Sequence, residues 1–163
     1  MRRVLILGAA LLLALPALAR ALEASVVVVE STAPLKSWNK SAKARLPAGE
    51  LEAATPGHEI YFAFATRGLL RGKDGKCHAW VDFEVRAPTG ELLMRHRKWP
   101  ELRRKIHPED IGKWSLLLPP LDLTFGVGDP AGDWVISGTL YDAVAEQSIP
   151  FERKLKLIQS ESR

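Results

Sequence analysis

Apolar and polar residues alternate most regularly between Lys76 and Trp99, and that stretch predicts a β-hairpin. Cys77, Ala79, Val81, Phe83 and Val85 share one face of the first arm, while Trp80, Asp82 and Glu84 lie on the other. Ala87-Pro88-Thr89-Gly90-Glu91 supplies the turn, because Pro presets φ and Gly90 accepts the positive φ of a bulged three-residue loop. Pairing Ala87 with Glu91 sets Val85 opposite Leu93, Phe83 opposite Arg95 and Asp82 opposite His96. In that register Val81, Phe83, Val85 and Leu93 form an apolar face, and Asp82, Glu84, Arg86 and His96 a solvated one.

The same periodicity predicts further strands. Val26 to Val29 form a β-branched run inside a first strand, Ser25 to Ser31. His58 to Thr66 is apolar on both faces, which marks a strand in the middle of a sheet. Trp114 to Leu118 and Leu121 to Phe125 flank Pro119-Pro120, a strand broken or kinked by its prolines. Trp134, Ile136, Gly138 and Leu140 alternate with Val135, Ser137, Thr139 and Tyr141, and Ile149, Phe151, Leu155 and Leu157 mark the last strand. Leu35 to Gly57 reads as a long crossover with Trp38 pinned to the domain and a helical turn over Trp38 to Leu46. Pro100 to Lys105 reads as one or two helical turns opened by proline. About seven strands without a long helix predict an all-β, antiparallel sandwich.

Met1-Arg2-Arg3, the apolar run Val4 to Leu15, and the small-residue sites at Ala17-Leu18-Ala19 and Ala19-Arg20-Ala21 predict a cleavable signal peptide over residues 1–21. The remaining residues, 22–163, then form a single β-sandwich domain. Cleavage changes the charge: 23 basic residues against 19 acidic become 20 against 19 once Arg2, Arg3 and Arg20 are removed. A nearly neutral mature chain gives no reason to expect a nucleic-acid partner. Export with one cysteine points to a Gram-negative periplasm, with secretion as the alternative; Asn39-Lys40-Ser41, a glycosylation sequon, has no meaning there. A single cysteine allows no internal disulfide, so burial must supply the stability, and Cys77 is expected inside the apolar face.

Asp129-Pro130-Ala131-Gly132-Asp133-Trp134 through Asp142 resembles the Pro-x-Gly-x-aromatic strand ending in Asp near the end of bacterial extracytoplasmic immunoglobulin-like domains. Ala87-Pro88-Thr89-Gly90-Glu91 is similar to their hairpin turns. The Cys-Trp-Cys framework of antibody domains is absent. The resemblance implies an immunoglobulin-like sandwich serving adhesion, assembly, chaperoning or scaffolding, a range that selects no single function.

Candidate chemistry is sparse. Neighbouring residues on a strand point to opposite faces, so Cys77 and His78 make no nucleophile–base pair. Cys77, His78, Met94, His96 and His107 are the metal-ligating types, but they lack ligand spacing, and no phosphate-binding glycine loop occurs. No enzymatic site, cofactor or metal is expected. What stands out is Trp80 on the solvated face and a basic arm from Arg95 to His107. Trp80, Arg97, Lys98, Trp99, Arg103 and Arg104 are therefore the candidate partner-binding residues. The expected partner is an acidic protein surface or an anionic envelope glycan, which makes a protein-interaction module the first reading and a carbohydrate-binding module the second.

Overall fold

The computed structural model describes residues 21–38, 42–47 and 50–159. Residues 1–20 of the expected signal peptide, the Asn39-Lys40-Ser41 sequon and the Ser160–Arg163 tail lie outside the described residues.

The protein is all-β, with two sheets. Glu23–Val29 (β1), Glu59–Arg67 (β3) and Ser115–Thr124 (β7) form an antiparallel three-stranded sheet with β3 in the middle. The larger sheet runs Ala53–Ala54 (β2), Gln147–Leu157 (β9), Gly132–Asp142 (β8), Lys76–Arg86 (β4). The far edge of β4 is shared: Leu92–His96 (β5) pairs with its Phe83–Arg86 end, and Glu101–Lys105 (β6) with its Lys76–Trp80 end.

Alternation decides what each face does. Ile60, Phe62 and Phe64 of β3 meet Val81, Phe83 and Val85 of β4 and Ile136 and Leu140 of β8 in one core between the sheets. Phe83 sits edge-on to Phe62 at 5.9 Å and tilted against Phe64 at 4.8 Å. The other face of β3, with Tyr61, Ala63 and Ala65, is covered too, by Leu35 and Trp38 of a short helix, Ala33–Trp38 (α1), and by Leu46. Both faces of β3 are thus shielded from water, as its sequence implies. Trp38 is pinned as expected, although its helix ends at Trp38 instead of starting there.

Three expectations need correction. The described residues contain nine strands, not about seven. One of the additions is β6, where helical turns were expected. Its residues alternate, with Leu102 turned to the core, and β4 is eleven residues long, so the half that β5 leaves bare needs a partner. Tertiary pairing overrides the helical reading of Pro100-Glu101-Leu102. Of the two readings for Pro119-Pro120, broken or kinked, the break does not occur: β7 runs on through both prolines, and the irregularity there is a register shift against Phe62 and Phe64.

The third correction is the hairpin register. The turn is as predicted: Ala87 N–H donates to Glu91 O at 2.9 Å, and Gly90 has φ 87°. A bulge follows at Val85/Arg86, so Arg86 pairs with Leu92, Val85 with Met94, Glu84 with Arg95 and Phe83 with His96. One extra residue exchanges the two faces of the return strand. Met94 and His96 therefore turn toward the core side, and Leu93 and Arg95 turn away. The expected Asp82–His96 pairing does not form.

Candidate functional site

The outward face of the larger sheet is built by alternation on four strands. β4 contributes Trp80, Asp82, Glu84 and Arg86, and β8 contributes Ser137, Thr139 and Tyr141. β9 adds Glu152, and β6 adds Glu101 and Arg103. Trp80 pairs with Tyr141 on one side and Glu101 on the other. The β4–β8 register makes the two rings neighbours, and they stack with centroids 5.3 Å apart and planes 13° apart. His78 leans on Trp80 at 5.2 Å.

From the β5–β6 side, Lys98 Nζ lies 5.0 Å from the centre of the Trp80 ring, within cation–π range. The chain reaches that position through a bend where β5 gives way to β6. Lys98 takes a left-handed φ of 52°, and its N–H donates to Asp82 Oδ1 at 2.7 Å. Asp82 thus fixes the bend that delivers the ammonium group.

Charge around the aromatic pair is unevenly neutralised. Glu84 accepts from Arg86 Nε at 2.6 Å and from Arg95 Nη2 at 2.8 Å. The bonds to Arg86 first, then to Arg95, hold its carboxyl down at about 2. Glu101 lies 2.5 Å from His78 Nε2 and accepts from Arg103 Nε at 3.0 Å. His78 first, then Arg103, holds that carboxyl below its usual range. Arg97 is exposed and makes no ion pair among the described residues. Beside Tyr141 an open depression of about 920 Å³ runs between Arg95, Arg97, Thr139 and Glu152.

Of the six residues singled out by sequence, this surface collects Trp80, Arg97, Lys98 and Arg103. Trp99 and Arg104 are not with them. Trp99 packs on the core, 5.4 Å from His96 and 6.3 Å from Phe83. Arg104 turns toward the smaller sheet and donates to Ser115 Oγ at 2.6 Å. The reason is alternation: on a strand Arg103 and Arg104 face opposite ways, whereas helical turns allow them to share a side. Sequence reasoning also missed Tyr141. Its outward position was legible in the β8 alternation, but its pairing with Trp80 depends on the β4–β8 register, which no local pattern reveals.

The other reactive types are dispersed. Cys77 is 1% exposed, its Sγ 3.5 Å from Arg104 O, and burial pushes the thiol up. His78 projects from the opposite face of β4. Among the described residues no three His, Cys, Asp or Glu side chains gather in a way that would hold a metal ion. No described helix is long and apolar enough to cross a membrane.

No family model matches the chain, and comparison with curated proteins gives no match. Among solved structures, a family 123 glycoside hydrolase from Clostridium perfringens, studied for glycolipid glycan hydrolysis, is similar over 85% of this chain, with a TM-score of 0.45 and 10% identity. This chain spans 27% of that enzyme.

Proposed function

We propose that the protein is an exported, non-enzymatic, immunoglobulin-like interaction module that binds an acidic protein surface through the outward face of its larger sheet. One observation carries this reading: Trp80 and Tyr141 stack on a mainly polar sheet face, with Lys98, Arg97 and Arg103 around them. Trp, Tyr and Arg dominate the energetic centres of protein interfaces, and a polar rim around an aromatic anchor is their usual setting. The stacking also favours a protein over a glycan. Trp80 is already engaged by Tyr141 at 5.3 Å and by Lys98 Nζ at 5.0 Å, so a sugar would have to displace contacts the ring already makes.

Placing a photo-crosslinking residue at Thr139, in the depression beside Tyr141, identifies the partner. Its affinity is then measured for the wild type, for Trp80→Ala, and for a variant with Arg97, Lys98 and Arg103 changed to Glu. Loss of an interface anchor is expected to weaken binding roughly thirtyfold. The charge-reversed variant should bind poorly at low salt and lose its difference from wild type as salt is raised. Crosslinking that Trp80→Ala leaves unchanged overturns the reading. So does selective retention of envelope polysaccharide with no protein partner.

Export is a separate expectation, resting on Arg2-Arg3, the apolar run and the alanine sites. The periplasmic protein should begin at Arg20 or Leu22 by mass spectrometry. A species beginning at Met1 in that fraction overturns it.

A further inference from the structure

β5 is the terminal strand of the larger sheet: β4 pairs with one of its edges, and among the described residues no strand pairs with the other. The remaining edges are managed differently. β2 has only two residues, Val28 O of β1 accepts from Leu51 N at 2.8 Å, and β6 backs onto β7 through Arg104 and Ser115. β5 presents a five-residue edge, and it does so with Leu92 40% and Leu93 49% exposed. Residues 147–155 of β9 also have no strand on their outer edge among the described residues, but that edge carries Glu152, Arg153 and Lys154. Exposed apolar side chains on an unpaired edge are what sheet proteins ordinarily avoid unless another chain covers them.

We infer that this edge pairs with β5 of a second copy, antiparallel about a two-fold axis at Met94, joining the two larger sheets into one. The sequence of the edge is self-complementary in that register. Glu91 falls opposite Arg97, Leu92 opposite His96 and Leu93 opposite Arg95, each contact made twice. Neither Glu91 nor Arg97 makes an ion pair within the chain among the described residues. Arg95 is already held at 2.8 Å by Glu84, which it shares with Arg86, so it offers Leu93 its aliphatic stem. The alternative registers are worse. A slip toward the Lys98 bend sets Arg95 against Arg95. A slip toward the turn sets Leu93 against Leu93 but spends Glu91 on Arg95, which Glu84 already holds, and leaves Arg97 unmatched. The bulge at Val85/Arg86 and the bend at Lys98 limit the strand to this short segment. The contact area therefore falls below the roughly 1,000 Å² of a tight interface, and the dimer is weak and concentration-dependent. A two-fold axis between antiparallel strands stands perpendicular to the sheet, so both Trp80 faces point the same way; the dimer itself does not depend on what Trp80 binds.

Sedimentation of the purified protein from micromolar to millimolar concentration, together with a cysteine scan, tests this. Met94→Cys lies on the axis, opposite its own copy, at a spacing a disulfide spans. It should oxidise to a covalent dimer faster than Val127→Cys, although Val127 is 84% exposed and Met94 is half-buried. Cys77 is buried and does not compete. Arg97→Glu and Glu91→Arg should each raise the dimer dissociation constant about three- to tenfold, and the double variant should restore it. Circular dichroism shows that each variant keeps the wild-type fold before comparison. A wild type monomeric at every concentration overturns the proposal and leaves the edge to another protein's strand. So does Val127→Cys crosslinking ahead of Met94→Cys, or a double variant no better than the single ones.

Discussion

Phe83→Ala is expected to lower the unfolding free energy by about 3–5 kcal/mol. The ring is 2% exposed and lies between the two sheets, with Phe62 and Phe64 of β3 on one side and His96 of β5 and Trp99 of the β5–β6 bend on the other. Truncation removes the apolar transfer energy and leaves a cavity whose walls come from different sheets. Those walls close in only by shifting whole strands, so little of the loss is recovered. Small domains hold about 5–15 kcal/mol in all, so a single truncation here takes a large share. Urea denaturation measures it: the midpoint should fall while the slope stays unchanged, since the surface exposed on unfolding hardly changes. A loss below about 1 kcal/mol would mean that Phe83 is not the bridge between the sheets.

Much of this core was legible because burial follows a period of two. The β4 and β8 alternations named Phe83, Val81, Ile136 and Leu140, and the doubly apolar β3 announced a central strand. Gly138 shows where such patterning reaches its limit. It occupies a core-facing position of β8 without a side chain, and only the three-dimensional pairing explains it. A Cβ there would lie 2.1 Å from Asp82 O and 2.8 Å from the Phe151 ring, so the strands close on a position that only glycine fits. The candidate site was half legible for a related reason. Outward-facing residues can be read from alternation within a strand, which gave Trp80. Which strands become neighbours, and in what register, depends on long-range pairing. Tyr141 beside Trp80 and the one-residue bulge in the hairpin both belong to that second level. Arg104 was misplaced because the element carrying it was taken for a helix, and the period determines which cations share a side. Trp99 ends the hairpin arm whose course the bulge and the Lys98 bend changed.

Asp142→Ala should cost about 3–5 kcal/mol, and its effect should reach the proposed binding face. Asp142 closes β8 and is only 2% exposed. Its Oδ2 accepts from Leu70 N at 2.7 Å, and its Oδ1 accepts from Val144 N at 2.9 Å and from Ala145 N at 3.2 Å. One carboxylate thus fastens the loop after β3 and the β8–β9 turn to the same strand end. Removing it strands three backbone donors, each worth about 1–3 kcal/mol when left unpaired in the interior; the turn donors are partly exposed, and water recovers some of theirs. Asp142→Asn keeps one acceptor oxygen and turns the other into a donor facing an N–H, so it should fall between the wild type and Asp142→Ala. Native-state hydrogen exchange supplies the local readout: the Leu70, Val144 and Ala145 amides should lose protection in Asp142→Ala ahead of the amides of β3. Tyr141 directly precedes Asp142, so loosening this strand end also frees the ring that packs Trp80 in place. Binding of the partner captured from Thr139 should therefore weaken in Asp142→Ala even though Asp142 is buried beneath the surface that makes contact. If the Leu70 amide stays as protected as in the wild type, Asp142 is not the tie between these loops, and neither the stability loss nor the weakened binding should appear.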